Sequence, residues 1–382
     1  MFRGQWTYNS AMLKRIYIDN FRCFVNFEYK PERRQLLLGA NGSGKSSLLE
    51  AVRAVQGFVC EDGWDNFSRN IFQDSRTRWL NLPRQVFEIE AELEGQQYVY
   101  RLEINAEGNP KEMVLLESLK VDGSPILEYS NGKLSLYKEN TVDPTAELGV
   151  QYNGGSSILG FLSGFRTEAT KFVVWLSKDL VCLRINPYAM KNTGKFTGPA
   201  RPGFDLNNIA DWYMRLTLND SEGMLKLRSS LKEALDGLAL LNFKATETGD
   251  SILTILFGMD SIQQRYILME LSEGQRCLIA LYMILHFLIA KGCTVFLDEP
   301  DNFISLREIQ PWLLAAEDAV EESNGQLILI SHHPEILNYW AREYGLLFSR
   351  EENGHARTKP YREVADTGLD PAETIARGWE DE

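Results

Sequence analysis

The sequence predicts an α/β fold with a mainly parallel core sheet, an antiparallel β subdomain and a helical insertion. Three observations carry that prediction. The apolar run Gln35-Leu36-Leu37-Leu38 passes through the glycine-rich GANGSGKSS (Gly39 to Ser47) into LLEAVRAVQGF, where Leu48, Leu49, Val52 and Val55 recur at helical spacing. Apolar strands and amphipathic helices alternate from Thr294 to Glu351, the order that builds a parallel sheet. Between these two segments, QVFEIEAELEGQQYVYRLEINAEG alternates with period two, as the strands of an antiparallel hairpin or meander do.

Taken in order, residues 13–38 read as strands: LKRIYIDNF, FVNFEYK, a turn at Pro31 and the apolar run to Leu38. After the glycine-rich loop and its helix, residues 58–84 form a polar and aromatic surface segment in which Arg69, Arg76, Arg78 and Arg84 are interspersed with Trp64, Phe67, Phe72 and Trp79. Weaker strand signals in MVLLESLKV, ILEYS and KLSLYK extend the antiparallel region to about residue 138. The Gly-, Pro- and Asn-rich stretch between residues 186 and 208 is a loop, and NNIADWYMRLTL and EGMLKLRSSLKEALDGL are helical. Two short strands follow in LLNFKATE and SILTILF. SEGQRCLIALYMILHFLIAKG then reads as a long buried helix closed by Lys291 and Gly292. The last third is strand TVFLDEP, helix PWLLAAEDAVEES with Pro311 in its first turn, strand QLILISHH, a short helix and strand YGLLFSRE. The expected division is an N-terminal lobe over 12–140, a helical and loop insertion over 141–240 and a C-terminal lobe over 241–382.

Composition narrows the function classes. The 382 residues are 44% hydrophobic and 24% charged, ordinary for a packed globular chain. Their 53 acidic and 40 basic side chains give a net charge of −13, so nucleic acid would have to be held by a local basic patch. Cys23, Cys60, Cys182, Cys277 and Cys293 are odd in number and contain no C-x-x-C pair, the usage of reduced cytoplasmic thiols. No apolar run suits a signal peptide, and the longest, Cys277 to Ala290, is shorter than the ~20 residues that span a bilayer. No membrane association is expected.

Three motifs carry chemistry. Gly39-x-x-x-x-Gly44-Lys45-Ser46 has the Walker A pattern, in which backbone N–H groups from Asn41 to Ser47 and a helix N-terminus cradle phosphates. Asn41, Gly42, Ser43, Gly44 and Ser47 would line that cradle, Lys45 would neutralise the β/γ charge and Ser46 would ligate Mg²⁺. The apolar strand Thr294-Val295-Phe296-Leu297 delivers Asp298 and Glu299 at its C-terminal edge, the Walker B arrangement: Asp298 holds Mg²⁺ through water and Glu299 polarises the attacking water. Leu271-Ser272-Glu273-Gly274-Gln275 places a hydroxyl and glycine amides at the start of the long helix.

LSEGQ resembles the signature loop of ABC-type ATPases, usually LSGGQ, and its place before Asp298 and after Lys45 fits that family. Ser331-His332-His333-Pro334-Glu335 resembles the family's switch-histidine loop, aligning His332 rather than His333 with the γ-phosphate sensor. Asp301 matches the D-loop aspartate, although NFISLREIQ replaces the usual continuation. Gln85 resembles the Q-loop glutamine that would complete the metal site, and Gln73 also lies at a suitable distance. The opening IYIDNFRCF with FVNFEY is similar to the first strands of RecF, SMC and OLD-type ATPases, where Arg22 would lie near the nucleotide. The resemblance covers roughly residues 12–100 and 240–350.

The resemblance implies an ABC-type P-loop NTPase head that binds ATP and Mg²⁺. It also implies a homodimer, or a higher even-numbered oligomer, with Lys45 and Asp298 of one protomer facing Ser272, Gly274 and Gln275 of the other. The span from Gln85 to Leu271 contains no heptads, unlike SMC arms, and the 50 residues after His332 are too few for the Toprim nuclease domain of OLD proteins. The chain therefore resembles the compact AAA-family ATPases that bacteria encode beside a separate effector, many in antiphage defence. A RecF-like ATPase acting on DNA is the alternative, with the Arg69–Arg84 segment, Lys191, Lys195 and Arg201 as its contacts. A transporter subunit is a third reading, which the opening strands disfavour.

Overall fold

The structure is a computed structural model that describes residues 11–60, 67–107, 113–137, 146–149, 157–164, 166–246, 250–258, 263–362 and 369–377. Trp64, the side chains of Phe67 and Arg69, and the expected boundary near residue 140 lie outside the described residues.

The first third builds one face of the molecule. Its elements are β1 (Ala11–Asp19), β2 (Phe27–Tyr29), β3 (Arg34–Leu38), α1 (Lys45–Cys60), α2 (Phe67–Asp74), β4 (Arg84–Leu93) and β5 (Gln96–Asn105). They continue with β6 (Val114–Val121), β7 (Ser124–Ser130), β8 (Lys133–Leu136) and β9 (Ala146–Gly149). All but β3 of these strands form an eight-stranded sheet in the order β2-β1-β4-β5-β6-β7-β8-β9, antiparallel throughout. The period-two pattern explains it. In β4, Phe87, Ile89, Ala91 and Leu93 are buried while Glu88 and Glu90 face outward, where Arg15 of β1 pairs with both.

The remainder begins with α3 (Ile158–Leu162), α4 (Thr167–Val174), β10 (Leu180–Arg184), β11 (Thr193–Gly194), α5 (Ile209–Asn219) and α6 (Ser221–Ala234). It goes on with β12 (Leu238–Ala245), β13 (Ser251–Phe257), β14 (Gln264–Ile267), α7 (Glu273–Phe287), β15 (Thr294–Asp298) and α8 (Leu306–Ser323). The last elements are β16 (Gln326–Ile330), α9 (Pro334–Tyr344), β17 (Gly345–Arg350), β18 (Ala356–Pro360) and α10 (Pro371–Ala376). Six strands form a second sheet, β10-β15-β16-β3-β17-β18, parallel except for the hairpin between β17 and β18. Strands β11, β12, β13 and β14 make a small antiparallel sheet beside α5 and α6.

The expectation of a mainly parallel core therefore describes the six-stranded sheet alone; the larger sheet is antiparallel. The parallel strands read as continuous apolar runs because both of their faces are covered. Leu37, Leu180, Cys182, Phe296, Ile328 and Ile330 point to a core shared with α1 and the antiparallel sheet. Leu36, Leu38, Val181, Leu183, Val295, Leu297, Leu327 and Leu329 point to a second core under α7, α8 and α9. Each fully buried Leu or Ile of this kind contributes about 1.5–3 kcal/mol. Gln326 ties the sheets together: its buried carboxamide accepts from Leu13 N–H at 3.1 Å and donates to the carbonyls of Leu13 at 3.1 Å and Glu32 at 2.9 Å.

Two local expectations change. β10 lies inside the stretch read as a helical and loop insertion, yet it pairs with β15; four residues of LVCL were too short to separate from the helix pattern before them. Pro311 is inside α8, not in its first turn, because the helix starts earlier, where the Glu308 carboxylate accepts from Ser305 N–H at 3.1 Å. All five cysteines are free, four of them buried. Glu273–Lys291 has the length and apolarity of a membrane span, but 72% of that window is buried inside the protein, as expected for a core helix.

Candidate functional site

The C-terminal ends of β3, β16, β15 and β10 lie level along the parallel sheet. Register pairs Leu37 with Ile330, Ile330 with Asp298, and Asp298 with Arg184. In open α/β sheets this edge is where ligands bind.

From β3 the chain enters the glycine-rich loop. Gly39, Gly42 and Gly44 all have positive φ. At Gly39 a side chain is excluded as well, because a Cβ would lie 2.1 Å from the Phe348 carbonyl oxygen of β17. Gly44 precedes α1 and has no side chain to cap it, so the first N–H groups of that helix are left for another acceptor. The hydroxyl of Ser43 is buried without a hydrogen-bond partner. Lys45 is buried and donates to the carbonyls of Gly39 at 2.5 Å and Ala40 at 3.2 Å, folding over its own loop. Burial pushes its ammonium pKa down, and Glu299 and then Asp298 pull it back up. Ser46 and Ser47 are partly exposed at the helix start, and Asn41 and Gly42 are exposed. Such a cradle fits a chain of phosphates.

Asp298 ends β15 with 2% of its surface exposed. Arg184 from the neighbouring strand donates to its Oδ2 through Nε at 3.0 Å and, more closely, through Nη2. Both contacts fall on one oxygen, so Oδ1 is not engaged by the guanidinium and remains suited to a hydrated metal ion. Glu299 follows with φ of 50°, a left-handed conformation that is costly for a residue with a side chain. Its N–H donates to the Ile330 carbonyl at 2.8 Å, and its carboxylate accepts from Asn302 Nδ2 at 2.9 Å. The strain therefore sits on a residue pinned to the end of β16.

Beyond β16, His332 is exposed at the rim. Desolvation by neighbouring groups and the positive charge of Lys45 hold its imidazole below the ordinary histidine value, partly offset by Glu299, Asp301 and Asp298. His333 has a different position: its Nδ1 accepts from Glu335 N–H at 3.3 Å and caps α9. Asp301 is buried, its Oδ1 lacks a partner, and burial pushes its carboxyl pKa up against the hydrogen bond from Ser331. The structure thus brings Lys45, Asp298, Glu299, Asp301 and His332 within electrostatic reach of one another.

The other expected residues stand further back. Gln85 is fully buried; its Nε2 donates to the Asn20 carbonyl at 2.9 Å and its Oε1 is unpartnered, so it underpins the turn after β1 and presents nothing to solvent. Gln73 is exposed on α2. Arg22, at φ of 51°, forms an ion pair of 2.5 Å with Glu50 on α1. Ser272 caps α7 in a reciprocal box: Gln275 N–H donates to Ser272 Oγ at 3.2 Å and Ser272 N–H to Gln275 Oε1 at 3.1 Å. A Cβ at Gly274 would meet only the Phe303 backbone, at 2.8 Å from its oxygen. None of these contacts reaches the glycine-rich loop.

Sequence reasoning missed two residues. Arg184 could have been found as the charge that ends a short apolar run, by analogy with Asp298. Arg350, whose Nε donates to the Gly42 carbonyl at 2.8 Å, had no local signal, since it lies 308 residues from its partner.

Comparison with known proteins gives two domain families and a fold. Residues 15–159 match "AAA domain", and residues 226–338 match "AAA domain, putative AbiEii toxin, Type IV TA system". No curated protein matches the chain. Among solved structures, the chain is similar to an SMC head bound to the C-winged helix domain of ScpA, with 12% identity, TM-score 0.56, and 91% of this chain and 96% of that one covered. It is also similar to an Smc head with an extended coiled coil, bound to the C-terminal domain of ScpA derived from Pyrococcus furiosus. That pair has 10% identity and TM-score 0.50, covering 97% and 99% of the two chains. At these identities the likeness is one of fold.

Proposed function

We propose that this chain, whose residues 15–159 and 226–338 match AAA-domain models, is an ABC-type ATPase of the RecF, SMC and OLD group that binds and hydrolyses ATP and acts as the regulatory subunit of a separately encoded effector. The observation that carries the ATPase reading is the assembly of Lys45, Asp298, Glu299 and His332 at the C-terminal sheet edge beside an uncapped helix N-terminus. In this reading the amides from Asn41 to Ser47 receive the phosphates, and Lys45 leaves the Gly39 carbonyl for the β/γ oxygens. Ser46 and, through water, Asp298 would hold Mg²⁺, which would neutralise phosphate charge. Glu299 takes a proton from the attacking water, and His332 donates to the γ-phosphate.

Ser272 and Gly274 have no such ligand in their own protomer's contacts. The proposed partner for them is the ATP of a second copy, giving a two-fold dimer in which the Lys45 site of each protomer meets the Ser272 loop of the other. ATP binding then shifts a population of open chains toward closed dimers, and hydrolysis returns them.

The role in antiphage defence rests on the toxin–antitoxin description of the domain matched by residues 226–338. The DNA reading has less support. Arg76 pairs with Glu107 at 2.5 Å, Arg84 with Glu103 at 2.7 Å and Lys195 with Asp250 at 3.7 Å, so three of those contacts already face a carboxylate. The deciding experiment is the mass distribution of Glu299→Gln with and without Mg-ATP, followed by its pull-down from the native host. ATP-dependent dimers with a copurifying protein support the proposal; a nucleotide-insensitive monomer overturns it.

A further inference from the structure

We propose that Arg184 is a positioning residue that acts as a stand-in cation for Asp298, holding Oδ2 of its carboxylate and, by its charge, weakening the hold of the free Oδ1 on a divalent ion. The inference deepens the proposed ATPase reading and rests on it. Asp298 is 2% exposed, and a carboxylate that deeply buried requires a partner. Arg184 supplies it from the adjacent strand, where the parallel register places the two residues side by side. Both guanidinium contacts are to Oδ2. The pairing is therefore built into the sheet, while the arginine that makes it is not locked in place: its side chain is 47% exposed. Phe204 lies under the guanidinium at 5.6 Å and carries Arg53 at 3.7 Å on the same ring, so a second positive charge already crowds this position.

A divalent ion drawn to the same carboxylate adds two more positive charges beside the guanidinium. Metal and Arg184 then oppose each other at Asp298, and by linkage each weakens the hold of the other. Without phosphates to supply further negative charge, the guanidinium charge keeps a metal from the free oxygen; with them, the metal binds beside Arg184. Metal loading is thereby made conditional on nucleotide.

The test is Mn²⁺ affinity, read from the electron paramagnetic resonance of the free ion, at a saturating non-hydrolysable ATP analogue. Arg184→Gln removes the charge and keeps a donor, and it is expected to tighten Mn²⁺ binding by about fivefold or more. Arg184→Lys, which keeps the charge, is expected to remain near the native value. In an Asp298→Asn background the effect of Arg184→Gln should vanish. This control needs no turnover and separates competition from a general change in folding. Unchanged or weaker Mn²⁺ binding in Arg184→Gln overturns the inference while leaving the ATPase reading intact. A native chain without nucleotide-dependent Mn²⁺ binding overturns both.

Discussion

The N-termini of α1 and α7 begin two heavily buried helices, and they are finished in opposite ways. At α1 a glycine precedes the helix, Ser43 Oγ is buried without a partner and Lys45 folds back onto loop carbonyls. At α7 Ser272 and Gln275 satisfy each other's backbone N–H groups in a reciprocal cap. The first end is prepared for an anion within its own protomer. The second already carries a side-chain cap of its own. In the proposed dimer one end binds ATP, and the other reports that binding to a second copy.

Substitutions at the two ends can break this contrast. The largest effect is expected at the α1 side from Glu299→Gln, which should slow phosphate release by about 10²–10⁴-fold while ATP remains bound. Normal turnover in that variant would assign the base elsewhere. Lys45→Ala should follow, weakening ATP by roughly 10–100-fold through loss of a charge-assisted contact and leaving no measurable hydrolysis. Equilibrium binding of a fluorescent ATP analogue reads it, and native affinity would remove the α1 end from the site. At the α7 end, Ser272→Arg should keep ATP affinity within about threefold, a shift below the ~1.4 kcal/mol of a tenfold change, yet abolish ATP-dependent dimers in sedimentation. Dimers that persist would mean the second copy does not use this helix. The smallest effect is that of Ser272→Ala, expected to lower unfolding stability by about 1 kcal/mol through loss of the cap. A denaturation midpoint unchanged by Ser272→Ala would show that the box does not satisfy α7, and the contrast would lose its physical basis.

Much of this was legible in the chain. The glycine-rich loop between an apolar strand and a helix with Leu48, Leu49, Val52 and Val55 on its buried face was readable because local pattern and final burial agree. Asp298 and Glu299 were readable for the same reason, since a fully buried strand ends at two carboxylates. His332 was separable from His333 only by resemblance; the structure gives the physical distinction, a helix cap for one and a charged rim for the other. Gln85 is legible only through its resemblance to a Q-loop glutamine, and its burial under Asn20 depends on packing that no neighbouring residue encodes.

What the sequence determined by itself are the features set by runs of adjacent residues: the period of each strand and helix, the glycines that only a φ above zero requires, and the order of the motifs. What the tertiary structure alone decided are the pairings between distant runs. β10 reads as a fragment of an insertion until it lies beside β15, and only then does Arg184 meet Asp298, 114 residues away. Arg350 meets Gly42 across 308 residues in the same manner. Backbone hydrogen bonding sets which strands adjoin, and it acts between segments whose local composition carries no trace of the partner.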